Sequence, residues 1–168
     1  MVKQKQSWKI GIGGLIVLLL LVVSGGVLFV GAVSGWFEDS TIVIDEEFDC
    51  EEECDKFIDI EAEGYEDLIK AEKSFVILVD QNGCTTADRL RGFTRNWAKE
   101  NGKKVHRIMF EEMKETSLHE SVKYYPSVVL VGEGKVKGFL RADADADAEM
   151  YNDEEVLKGW VNARIRER

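Results

Sequence analysis

Three cysteines carry most of the chemistry this chain could do, and Cys84 has the most unusual setting. It stands between an apolar, β-branched run, Phe75 to Val79, and a helical pattern that begins with Thr85 and Thr86. The run reads as a buried strand, broken by Asp80-Gln81-Asn82-Gly83. A cysteine on a strand-to-helix turn meets unpaired N–H groups and the positive end of the helix dipole. Both favour negative charge, and redox-active thiols use that setting. A dithiol site would carry its second cysteine three residues on, where this chain has Ala87. The competing reading of Cys84 is a small, inert core residue.

Cys50 and Cys54 lie in the acidic run Asp45 to Lys56. Read as a helix, that run puts Cys50, Cys54 and Phe57 or Ile58 on one face. Side chains four apart on a regular helix hold their Cβ atoms about 5–6 Å apart. A disulfide needs about 3.5–4.5 Å. A local Cys50–Cys54 bridge and an intact helix therefore exclude one another, and pairing of either cysteine with Cys84 is a third arrangement. Either cysteine could then resolve a mixed disulfide at Cys84, or both could be spectators. Zinc is poorly matched, because no second Cys or His pair accompanies them.

Asp143, Asp145, Asp147 and Glu154 take positions one, three, five and twelve of a window resembling a calcium loop of the EF-hand type. Carboxylates are the hard oxygen ligands calcium needs. Ala148 stands where that loop turns on a glycine, and a strand rather than a helix precedes it. The plainer reading is a solvated acidic loop. No other cofactor is indicated, and His106 and His119 read as surface residues.

The rest of the chain must position these groups. Ile10 to Val33 carries no charge and would span roughly 36 Å as a helix, enough to cross a bilayer core. Ala32-Val33-Ser34 fits a cleaved signal, but a signal's apolar core runs only about 7–15 residues. A retained single-pass anchor is the better fit. Lys3, Lys5 and Lys9 precede the span, and no Lys or Arg follows until Lys56. Residues 1–9 should therefore stay in the cytoplasm and the rest of the chain should face outward. Trp36 and Phe37 suit the membrane interface. Residues 34–56 read as an acidic linker carrying Cys50 and Cys54, and 57–168 as one domain. The chain has 32 acidic against 22 basic residues, a net charge of −10. That balance excludes nucleic acid as a partner and argues against docking on anionic lipid.

Within the domain, strands are expected at 57–62, 75–79, 105–110, 127–131 and 135–140. Helices are expected at 65–73, 85–100 and 117–124, with a capping box from Ser117 to Glu120, and a last one follows an Asn152 cap. The alternation specifies an α/β layer structure with a mixed sheet. The chain here resembles the thioredoxin family over about 57–165. The resemblance rests on the strand running into Cys84, the Tyr125-Pro126-Ser127 turn entering a Val-rich strand, and the Gly132-Glu133-Gly134 hairpin before a last amphipathic helix.

That resemblance implies a mixed sheet flanked by helices, with Cys84 as the attacking thiol and Pro126 as a cis-proline facing it. Tyr125 would be the residue whose backbone pairs with a substrate chain. It implies protein or peptide thiols and disulfides as partners. Ala87 occupies the resolving position, so the implied activity is monothiol exchange; the alternative is a non-catalytic module that binds peptide or protein. Gly83 stands where an aromatic often precedes the attacking cysteine. Ungapped matching puts Leu78 where the family has a buried acid, and only a two-residue deletion would bring in Asp80.

Overall fold

The computed structural model describes residues 41–167 apart from 53 and 55. The apolar span at 10–33 and its basic flank at 1–9 lie outside the described residues. Among those described, no helix is long and apolar enough to cross a membrane.

The elements in chain order are β1 (Phe57–Asp59), α1 (Ala62–Lys70), β2 (Phe75–Asp80), α2 (Thr85–Asn101), β3 (Val105–Met109), the short α3 (Phe110–Met113), β4 (Ser127–Gly132), β5 (Lys135–Phe139) and α4 (Glu154–Asn162). The five strands form one sheet in the order β1-β3-β2-β4-β5. The first three are parallel, and β4 and β5 are antiparallel to their neighbours. The crossover from β1 to β2 runs one way along the sheet and that from β2 to β3 runs back. Right-handed crossovers in opposite directions put α1 and α2 on opposite faces. This is why β2 and β4 are buried at every position and read as continuous apolar runs.

Helix α2 turns Ala87, Leu90, Thr94, Trp97 and Ala98 inward, and Gly102 ends it at φ +59°. Glu133 and Gly134 both have positive φ and make the two-residue hairpin between β4 and β5. A Cβ on Gly134 would lie 2.5 Å from the Ile69 carbonyl oxygen, so this position requires glycine.

Several expectations differ from the structure. The described residues of the run Asp45 to Lys56 are not an α-helix: a single 3-10 turn, Glu46–Phe48, is followed by a Cys50–Cys54 disulfide with a Cα separation of 5.6 Å. Residues 41–50, read as linker, pack onto the domain. Ile42 and Ile44 alternate inward, Val43 points out, and the Ile42 N–H donates to the Arg164 carbonyl at 2.8 Å. The cap before α4 is Asp153, whose carboxylate accepts from the Glu155 and Val156 N–H groups; Asn152 instead accepts from Arg89. The expected helix at 117–124 is a 3-10 turn, Ser117–Glu120, capped by Thr116, while the Ser117 N–H donates to Glu66.

His106 is also inside rather than on the surface. It is 4% exposed, between the rings of Phe48 and Phe75 at 5.0 and 5.2 Å. Neither ring nitrogen has a hydrogen-bond partner. The alternation His106-Arg107-Ile108 puts His106 on the same face as the buried Ile108, opposite Arg107.

Candidate functional site at Cys84 and the cis-proline turn

Strand β2 delivers Cys84 to the carboxyl end of the sheet. Gly83, at φ +72°, turns the chain, and Cys84 is the N-cap of α2 with extended backbone. Its carbonyl accepts the Asp88 N–H at 2.9 Å, while its side chain makes no cap bond. The thiol is free and half-buried. Ala87, one turn into the helix, is fully buried.

Strand register brings Pro126 to the same place. Val79 pairs with Ser127 in antiparallel register, so the residues beyond this pair, Asp80 and Pro126, begin the two turns side by side. The Tyr125–Pro126 bond is cis, as the family resemblance implied. Pro126 is buried, whereas Tyr125 is 37% exposed and packs against Phe110, the rings tilted by 48° with centroids 4.3 Å apart. Tyr124, at 55%, is the most exposed large apolar side chain among the described residues. A cleft of about 190 Å³ opens beside the turn, lined by Lys123, Tyr124, Leu140 and Arg141 among others.

Beneath these turns lies a charged network that sequence reasoning left unassigned. Asp80 is completely buried at the end of β2. Arg91 of α2 grips it with two bonds, Nε to Oδ2 at 2.7 Å and Nη2 to Oδ1 at 2.9 Å. Arg107 of β3 approaches within 3.7 Å and itself pairs with Asp59 of β1. The hydrogen bonds and charge of Asp80 hold the Arg91 guanidinium above its already high ordinary value. Arg107 holds the Asp59 carboxyl below the usual carboxylate range. The clue available from sequence was that Asp80 is the first charge after a fully apolar run, on a strand covered from both sides.

Cys50 and Cys54 lie at the other end of the domain. The Cys50 N–H donates to the Gly102 carbonyl, and Gly102 caps the far end of the 17-residue helix whose near end is Cys84. A helix of that length spans about 25 Å. The pair is bonded to itself and too distant to resolve a disulfide at Cys84, which corrects the resolving role weighed for it. Replacing both cysteines with serine is expected to lower domain stability by about 2 kcal/mol, the closure entropy of so short a loop. Thiol reactivity at Cys84 should be unchanged, as measured by urea unfolding and labelling rate; a coupled loss of reactivity would contradict the spectator assignment.

The acidic window at 143–154 does not converge on a common centre. Asp145–Tyr151 is a 3-10 segment. Asp147 accepts from the backbone N–H and guanidinium of Arg141. Glu154 opens α4 and is taken up by Asn96 and Lys158 at 3.0 and 2.9 Å. Among the described residues, no three His, Cys, Asp or Glu side chains are placed to hold a metal ion. Ala148, where a calcium loop would turn on glycine, lies inside the 3-10 segment.

With this geometry, the domain has a thioredoxin-like fold, a five-stranded mixed sheet flanked by helices. It is similar to a single-substitution mutant of thioredoxin from Halobacterium salinarum NRC-1, with a TM-score of 0.52 and 15% identity, covering 68% of this chain and 95% of that one. It is also aligned with the oxidised thioredoxin from Plasmodium falciparum, with a TM-score of 0.47 and 13% identity over 63% of this chain and 99% of that one. No protein-family model and no curated protein matches the sequence. At such identities the likeness defines the fold, and the chemistry must be argued from the residues.

Proposed function

We propose that this is a single-pass membrane protein, anchored through residues 10–33 with its amino end in the cytoplasm, whose outer domain carries out monothiol exchange with protein or peptide disulfides at Cys84. The observation that carries the reading is the free Cys84 at the N-cap of α2, beside the cis Tyr125–Pro126 turn. In the forward step the Cys84 thiolate attacks one sulfur of the substrate disulfide. A Cys84–substrate S–S bond forms, the substrate S–S bond breaks, and the second sulfur leaves as a thiolate. Because Ala87 is buried core, the mixed disulfide persists until an external thiol attacks it and returns Cys84 to the reduced form. On this reading Tyr125, exposed beside the cis-proline, lies alongside the substrate chain.

The test is turnover of a peptide disulfide by the full chain with and without an added small thiol. Turnover is expected only with the small thiol and should vanish in Cys84→Ser; activity that survives in that variant would sink the proposal. The second reading is a non-catalytic module that binds an extended chain at the same turn, and the buried Ala87 favours it. On that reading Cys84→Ser binds its partner as the parent does, and capture only through a covalent bond counts against it.

A further inference from the structure

The segment Asp145–Tyr151 ends on a residue that touches both halves of the candidate site. Tyr151 is 7% exposed, and its hydroxyl donates to the carbonyl oxygen of Pro126 at 2.9 Å. Its own carbonyl accepts from Arg89 Nη1 at 3.3 Å, and the same guanidinium nitrogen donates to the Asn152 side chain at 2.5 Å. Arg89 lies in the second turn of α2, the helix that begins at Cys84. A continuous chain of contacts therefore runs from the Cys84 helix through Arg89 and Tyr151 to the cis-proline turn.

We infer that Tyr151 is a positioning residue that fixes the cis-proline turn against the start of the Cys84 helix, so that a substrate chain lying along Tyr125 presents its disulfide to the thiol. This rests on the redox reading above. Three features of the structure fit it. Pro126 is buried, so its carbonyl needs a partner inside the protein, and Tyr151 supplies one. The turn is pinned on its other side by the buried Ser127 hydroxyl, which donates to the Leu140 carbonyl at 2.7 Å. The loop that carries Tyr151 is itself closed by Arg141 on Asp147, so the acidic window acts as a frame rather than a metal loop. Burial, with Asp147 and Asp143 nearby, pushes the Tyr151 phenol above its ordinary value, so the hydroxyl remains a donor at neutral pH.

The test is Tyr151→Phe in the full chain, which removes one oxygen and keeps the ring. Three readouts are needed: amide exchange over residues 124–127, the KM and kcat for a peptide disulfide, and alkylation of Cys84 by a small uncharged reagent. The expected result is faster amide exchange in the turn with none in β2, a KM raised about tenfold, the worth of one buried hydrogen bond, and alkylation within about twofold of the parent, since a small reagent does not use the turn. Arg89→Met, which leaves the hydroxyl in place, should raise KM in the same direction but less. Unchanged exchange over 124–127 in Tyr151→Phe would overturn the assignment, and so would equal losses in alkylation and peptide exchange, which would mark a general folding defect. If the parent chain is inert toward the peptide disulfide, the redox reading falls, and amide exchange alone decides whether Tyr151 holds the turn.

Discussion

Lowering the pH from 7 to 4 is expected to cost the domain on the order of 3 kcal/mol through His106 alone. Burial depresses this imidazole from 6.5 to about 4, against a weaker opposing pull from Glu47. Between those two values the unfolded chain binds a proton that the folded chain refuses. Stability is therefore fully present above about 6.5 and falls as the pH drops toward 4. The loss is not offset by a new hydrogen bond, because the imidazole lies between the Phe48 and Phe75 rings and neither ring nitrogen has a partner. Asp59 and Glu154, held below the ordinary carboxylate range by Arg107 and Lys158 respectively, lose their contributions at more acid pH. The window from 6.5 to about 4.5, above the unfolded values of both carboxylates, belongs to His106. His106→Leu should flatten the stability profile across that window and raise stability at pH 5, as read by urea midpoints at each pH. Parallel profiles for parent and variant would remove the imidazole as the cause.

Asp80→Ala is expected to destabilise the domain by about 3–5 kcal/mol, the range for removing one member of a buried ion pair. Asp80 has no exposed surface, and its loss removes the buried partner of Arg91, whose side chain is only 19% exposed and is left with Asp88 alone, while Arg107 keeps Asp59. Asp88 also pairs with Arg91, at 2.8 Å, but its side chain is 61% exposed. Asp88→Ala should therefore cost less than about 1 kcal/mol. The contrast separates burial from charge: both variants delete a carboxylate partner of the same guanidinium. Chemical denaturation of the two measures it, and equal losses would contradict the placement of Asp80. The damage should extend to Cys84, because Asp80 ends β2 and its Oδ1 accepts the N–H of Gln81, the first residue of the turn.

The sequence made the scaffold legible wherever apolar period and punctuation agreed. Strands β2 and β4 are apolar over 75–79 and 128–131 and buried at every position, and α2 runs Thr85–Asn101 where a helix at 85–100 was expected. The Cys84 turn could be read from local residues, the cis-proline facing it came from the family resemblance, and the register of Val79 with Ser127 brings the two together. Long-range partners were the hidden part. Nothing local tells Ile42 that it will bond to Arg164, or His106 that Phe48 will cover it. Carboxylate spacing at 143–147 suggested an ion because spacing alone cannot show that Arg141 and Lys158 take Asp147 and Glu154. Thr116 and Asp153 displaced Ser117 and Asn152 as caps by one residue each, an error of phase within runs of equally good capping types.

The central claim is that Cys84 exchanges as a lone thiol. Its most direct test is mass spectrometry of the full chain, under non-reducing conditions, after incubation with a disulfide-bonded peptide. The account predicts one peptide attached at Cys84, an intact Cys50–Cys54 bridge, and release of the adduct only when a small thiol is added. Absence of the adduct, or a bridge from Cys84 to Cys50 or Cys54, would contradict it.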